Sequence, residues 1–336
     1  MFQVNKGMKI VLFLFVVVPL LFLSPSVEGK DYVNPQLLVS PADIEKNIDN
    51  WVVIDCRDSK DYKAGHIPGA INLGAPCAKV MRDTTLRVKK AEELEKLLGN
   101  AGVGNDKPVV VYADAKLITG ATVGFWILEY LGHDKVYFLN GGIESWLAAG
   151  KSIEKTEIAT TPATFKAKAV KSTIAATEEI LKIAKGAIKN VNVIDSRTDK
   201  EHKGEDIRSL RGGHIPNTTI NVSHLDTYDV QTGRIKSMDE LENLLGKLDK
   251  NKRTIAYCQS GTRSTLIYLE LRLMGFKNPA NYDDSWIVYG SNVNYPAVNE
   301  NWYDFVKAND AIKTAEGMKK EIEELKKGVK PVTGGY

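Results

Sequence analysis

Cysteine is scarce in this chain, and positive charge has almost no surplus. The 336 residues include 3 cysteines and 5 histidines, and 45 basic side chains against 42 acidic ones leave a formal net charge of +3. No His/Cys group has the spacing of a zinc site, so no metal is expected, and nothing in the sequence asks for a cofactor. No block of Lys or Arg is interleaved with aromatics in the way a single-strand platform requires, which argues against a nucleic-acid partner. A comfortable membrane span is missing as well. The apolar run Ile10 to Leu23 is too short for one and contains Pro19. Lys6 and Lys9 precede this run, and the small residues Val27 and Gly29 follow it. That pattern reads as a secretory signal over residues 1–29, cleaved near Gly29, so the mature chain is expected to be periplasmic or extracellular. The competing reading is an uncleaved anchor, which would be the chain's only tie to a membrane. An odd number of cysteines in an exported chain leaves at least one thiol free or paired outside the chain.

What the sequence does contain is an internal repeat. Val53-Ile54-Asp55-Cys56-Arg57 recurs as Val193-Ile194-Asp195-Ser196-Arg197, and Gly65-His66-Ile67-Pro68 recurs as Gly213-His214-Ile215-Pro216. Val109 to Tyr112 matches Thr254 to Tyr257, and Asn140 to Trp146 matches Asp283 to Tyr289. Within each copy, short apolar runs alternate with amphipathic stretches such as Ala91 to Leu98 and Thr122 to Leu131. Such alternation predicts an α/β fold, with a parallel sheet covered by helices on both faces. The expected organisation is a signal over 1–29, a first copy over 30–150, a linker over 151–165, a second copy over 166–310, and a charged helix and tail over 311–336.

Chemistry concentrates after Tyr257. A β-type run ends at Cys258, the turn Gln259-Ser260-Gly261-Thr262-Arg263-Ser264 follows, and apolar residues at helical spacing run on to Gly275. A strand–loop–helix of this kind can bend its backbone N–H groups and the positive end of the helix dipole toward the sulfur, and Arg263 adds a full charge. A thiolate is stabilised in such surroundings. The bland alternative, a cysteine packed in the core, would not use so many polar neighbours. The first copy reads Ala113-Asp114-Ala115-Lys116 at the matching place and has no thiol there.

The two Asp-x-Arg strands, the two Gly-His-Ile-Pro turns, the Cys258 loop and Asp283-Asp284-Ser285-Trp286 together resemble the tandem-domain rhodaneses, the thiosulfate and 3-mercaptopyruvate sulfurtransferases. The resemblance covers residues 32–305. It implies two rhodanese-like domains, the second carrying the active cysteine and the first a degenerate copy. It also implies that Cys258 takes the outer sulfur of a small anionic donor such as thiosulfate and passes it, as a persulfide, to a thiol or cyanide. Residues Gln259 to Ser264 would then bind the donor. Arg263 favours thiosulfate over mercaptopyruvate, because mercaptopyruvate enzymes carry an uncharged loop.

Other readings remain beside that one. Cysteine phosphatases of related architecture use Cys-x-x-x-x-x-Arg, one residue longer than the spacing here. An exported sulfur or selenium carrier with little turnover is the second alternative. A thiol redox protein would need a resolving cysteine near Cys258, and the sequence offers none. Thiosulfate enzymes of the tandem type place a second basic residue four positions after the Asp-x-Arg arginine, where this chain has Glu201. Arg208 and Arg211 are candidate replacements, and Arg197 a candidate donor contact, although Asp195 with Arg197 reads first as a structural ion pair. His66 and His214 are expected to bond backbone within their turns, and Trp286 to close the core. Cys56 and Cys77 are equally compatible with a disulfide and with two free thiols.

Overall fold

The computed structural model describes residues 30–328, so the expected signal segment lies outside the described residues. In the first copy the strands are β1 (Leu38–Val39), β2 (Val52–Asp55), β3 (Ile71–Asn72), β4 (Val109–Tyr112) and β5 (Val136–Leu139). They form one parallel sheet in the order β1-β5-β4-β2-β3. Around it lie α1 (Pro41–Asn47), α2 (Ser59–Ala64), α3 (Cys77–Val80), α4 (Ala91–Asn100), α5 (Ile118–Tyr130) and α6 (Gly142–Ala148). Val109, Val110, Val111 and Tyr112 are all fully buried, as a central strand covered on both faces requires.

The second copy repeats the plan with a smaller sheet. Its strands are β6 (Val191–Asp195), β7 (Arg211–His214), β8 (Ile220–Asn221), β9 (Tyr228–Asp229), β10 (Arg234–Ile235), β11 (Arg253–Tyr257), β12 (Asn278–Asn281) and β13 (Val298–Trp302). The parallel sheet runs β12-β11-β6-β8, with β11 flanked on both sides. Its helices are α7 (Thr177–Ala184), α8 (Asp199–His202), α9 (Met238–Leu245), α10 (Ser264–Leu273) and α11 (Ser285–Tyr289). Two antiparallel ribbons, β9 with β10 and β7 with β13, lie outside the parallel sheets. Gly213 and His214, read from sequence as the start of a turn, therefore end a strand. The charged C-terminal helix, α12 (Phe305–Gly328), begins six residues before the expected Ala311, and residues 305–327 are exposed apart from the half-buried Ala308. No helix among the described residues is long and apolar enough to cross a membrane.

The copies meet through α5 and α10, both almost wholly buried. Thr122 and Thr265 share a hydrogen bond of 2.8 Å across that contact, and Glu129 accepts from Tyr268 and Arg272. One apolar core runs through both helices and the facing sheets. The fully buried Phe125, Trp126, Leu266 and Leu269 belong to it, each stabilising the fold by roughly 2–3 kcal/mol on transfer alone. Cys56 and Cys77 form a disulfide packed against Gly124 of α5, which decides between the two arrangements the sequence allowed.

Candidate active site

β11 delivers Cys258 to the carboxyl end of the sheet, where ligands gather in open α/β folds. Its backbone is fixed on both sides: the N–H donates to Ser285 Oγ at 3.1 Å, and the carbonyl accepts from Trp286 N–H at 3.0 Å. None of the backbone N–H groups from Gln259 to Ser264 donates to a backbone carbonyl among the described residues, and those of Ser260 and Ser264 face the Cys258 sulfur. The loop turns at Gly261, whose φ of +71° suits glycine, and a Cβ there would lie 2.4 Å from the Asp283 carbonyl oxygen. Larger residues are excluded by both angle and space.

The Cys258 side chain is free of disulfide bonding and fully buried. Its surroundings are polar. Ser264 Oγ lies 3.6 Å from the sulfur and 2.6 Å from Asn281 Oδ1, while Asn281 Nδ2 donates to the Gly261 carbonyl. A hydroxyl has a single proton to give, so Ser264 can serve Asn281 when the sulfur is a neutral S–H and turn to the sulfur when it is a thiolate. Burial pushes the thiol up. The Arg263 charge, the Ser264 hydroxyl and the Ser264 and Ser260 amides outweigh it and hold the thiol below its ordinary range.

Arg263 does not stand alone. It grips the fully buried Glu201 through two bonds of 2.7 and 2.8 Å. Glu201 also closes the capping box of α8 by accepting from Thr198. Burial pushes this carboxyl up, but Arg263 and Thr198 bring it below the usual carboxylate range. Glu201, at the position where the resemblance implies a second basic residue, is thus the counter-ion of Arg263.

The candidate replacements fare differently. Arg208 is half exposed at the same edge, bonded to Asp206 and 3.8 Å from Glu201, and its carbonyl accepts from Gln259 Nε2. Arg211 is a correction to the sequence reading: it is buried, paired with Glu300, and donates to the carbonyls of Gly290, Asn292 and Tyr295. Those bonds tie β7 to the end of the second copy, and the side chain is spent there. Arg197 bonds Asp195 and the Gly213 carbonyl, and its guanidinium lies 4.7 Å over the Trp286 ring. Burial pushes Asp195 up, but Arg197 and His202 hold it well below the carboxylate range. His66 and His214 each bond a backbone carbonyl through Nδ1.

Two residues near the loop were missed from sequence. His224 is buried with Nδ1 unpartnered among the described residues, and burial, together with the Arg263 charge, pushes it down to about 4. Arg82, from the first copy, donates to the Ser260 and Gly261 carbonyls, to Thr262 Oγ1 and to Asp283 Oδ1, at 3.0, 2.8, 2.8 and 2.6 Å. Neither carried a sequence signal: His224 follows no motif, and Arg82 has no counterpart in the repeat. No group of His, Cys, Asp or Glu among the described residues is placed to hold a metal ion.

A buried thiol at the head of a polar loop, duplicated sheets and a first copy without a free thiol fit one family, and comparison with known proteins agrees. The rhodanese-like domain matches twice, at residues 40–149 and 178–291. The chain belongs to the rhodanese family. A thiosulfate sulfurtransferase of Corynebacterium glutamicum is 30% identical over 287 residues, covering 80% of this chain and 92% of the relative. A Saccharopolyspora erythraea protein, provisionally named a thiosulfate sulfurtransferase, is 34% identical and covers 79% and 96%. Among solved structures, the anaerobic ergothioneine biosynthesis enzyme of Chlorobium limicola superposes with a TM-score of 0.72 at 21% identity, covering 79% of this rhodanese and 71% of that enzyme. YnjE gives 0.66 at 22%, covering 80% and 70%. These two likenesses speak to the fold.

Proposed function

We propose that this rhodanese is a sulfurtransferase that moves a sulfane sulfur from thiosulfate, or a donor of the same kind, to a thiophilic acceptor through a persulfide on Cys258. The Cys258 thiolate attacks the outer sulfur of the donor. A bond from Sγ to that sulfur forms, the donor's S–S bond breaks, and its electron pair leaves with sulfite. A thiolate or cyanide then attacks the outer sulfur of the persulfide, and the pair of the breaking bond returns to Cys258. Both steps carry anions past the amides of Gln259 to Ser264, which no backbone carbonyl takes, and past Arg263, which suit that charge. The single observation behind this reading is the sole free thiol among the described residues, made more acidic than an ordinary cysteine by Arg263, the Ser264 hydroxyl and the Ser264 and Ser260 amides.

Relatives that carry the name thiosulfate sulfurtransferase support the choice of donor. A phosphatase loop has one residue more before its arginine, and the sixth position after Cys258 is Ser264. A persulfide carrier with slow turnover is the second reading. It draws on the complete burial of the thiol and on the neutralisation of Arg263 by Glu201, since a donor reaches a covered sulfur only when side chains at the mouth move. Steady-state thiosulfate:cyanide kinetics on wild type and Cys258→Ser decide the matter. Thiocyanate formed over many turnovers and abolished in the variant supports the enzyme; a single turnover supports the carrier; equal rates in both proteins refute the assignment.

We also place the mature protein in an oxidising compartment outside the cytoplasm. The apolar N-terminal run supports this, as does the Cys56–Cys77 disulfide, a bond that persists in such compartments. N-terminal sequencing of the protein from a periplasmic or secreted fraction, starting near Lys30, is the expected result. A start at Met1 in a cytoplasmic fraction would overturn it.

A further inference from the structure

The first copy has no thiol, yet it reaches the second copy's chemistry. We propose that Arg82 is a positioning residue for the Cys258 loop, turning the Gly261 and Thr262 amides toward the sulfur by drawing the preceding carbonyls away from it. This inference rests on the reading of Cys258 as the reacting group.

The argument is geometric. A trans peptide is planar, with its C=O and N–H pointing in opposite directions, so the Ser260 carbonyl fixes the Gly261 N–H and the Gly261 carbonyl fixes the Thr262 N–H. Arg82 takes both carbonyls with separate terminal nitrogens, Nη1 to Ser260 and Nη2 to Gly261. The remaining terminal donors reach Thr262 Oγ1 and Asp283 Oδ1, so one planar fork spans three consecutive loop residues. The guanidinium is buried, where such bonds are strong and a lost partner is costly. A lysine ammonium is a point charge and cannot hold this geometry.

Arg82 is itself held firmly. It bridges to Val88 across a short turn, Val88 N–H donates to Asp283 Oδ2, and the neighbouring Arg87 pairs with Asp284. Five residues before it, Cys77 is joined to Cys56 by the disulfide. The anchored first copy thereby sets the backbone of the second copy's loop.

Alkylation of Cys258 by iodoacetamide across pH tests this without any sulfur donor, since the other two cysteines are paired. Arg82→Gln is expected to raise the midpoint by about one unit and lower kcat roughly tenfold, and Arg82→Lys, which keeps the charge, to raise the midpoint by part of that amount. Arg87→Gln removes an interface ion pair that does not touch the loop and is expected to leave the midpoint in place. A wild-type midpoint in folded Arg82→Gln, or in Arg82→Lys, overturns the proposal and leaves Arg82 an interface residue. Should Arg82→Gln fail to fold, Arg82→Lys carries the test alone, and an unmoved midpoint there refutes it. Because alkylation needs no sulfane donor, a midpoint shift in a protein that makes no thiocyanate would sink the sulfurtransferase reading while leaving the role of Arg82 intact.

Discussion

Replacing Arg263 by Gln perturbs both the acidity of the sulfur and the stability of the fold, and the structure separates the two. An opposite charge beside a titrating group commonly shifts it by about 1–3 pH units, each worth about 1.4 kcal/mol. Arg263 is the largest of the influences lowering the Cys258 thiol. Its loss is expected to raise the alkylation midpoint by at least about one unit, so that the rate at pH 7 falls about tenfold. The variant also strands Glu201, which is fully buried and keeps only its Thr198 bonds and a distant Arg208. Breaking one side of a buried pair costs about 3–5 kcal/mol. Urea denaturation should show that loss in Arg263→Gln and recover most of it in Arg263→Gln/Glu201→Gln, where no charge is left uncompensated. The double variant should keep the raised midpoint. Stability restored with the thiol still less acidic than wild type is the expected pair of results. An alkylation midpoint unchanged in the single variant would refute the claim that this guanidinium stabilises the thiolate.

Three further outcomes follow from buried groups. Glu270 on α10 is fully buried with both oxygens unpartnered among the described residues, since the Thr227 hydroxyl donates to the His224 carbonyl. Burial pushes its carboxyl well up, so the folded state keeps a proton that the unfolded state releases above the ordinary carboxylate range, and stability declines as pH rises through that window. Glu270→Met should therefore stabilise at pH 8 more than at pH 5 in urea titrations; an equal effect at both would contradict a protonated Glu270. His224 has the opposite sign: held near 4 when folded against about 6.5 unfolded, it takes up its proton mainly on unfolding, so stability drops as pH falls from 6.5 toward 4. His224→Asn should flatten that decline, and an unchanged slope would place the cause elsewhere. Removing the disulfide in Cys56→Ser/Cys77→Ser frees a loop of 21 residues' separation and should cost about 3 kcal/mol in denaturant, with a loss below about 1 kcal/mol counting against a stabilising role.

What the sequence made legible was local or repeated. The Cys258 loop reads directly because its strand, glycine turn and helix are contiguous, and the parallel sheets read from runs such as Val109 to Val111. The β7–β13 ribbon did not, because Val298-Asn299-Glu300-Asn301-Trp302 is largely polar and exposed and lacks the alternation that marks a half-buried strand. Arg211 was misjudged for a related reason. A charge in an insertion reads as surface, yet backbone carbonyls from a segment some eighty residues away, with Glu300, satisfy it in the interior. Glu201 was seen to break the pattern expected for a donor site, but its bond to Arg263 spans 62 residues and appears only once the loop and α8 are brought together. Arg82 lies 178 residues from Ser260 and in the copy without a thiol, where no motif directs attention.

The most direct measurement is the mass of the chain after incubation with thiosulfate and no acceptor, followed by mapping of the modified peptide. The account predicts a gain of one sulfur atom on the peptide holding Cys258, lost on adding cyanide with release of thiocyanate. No gain, or sulfur found anywhere else in the chain, would contradict it.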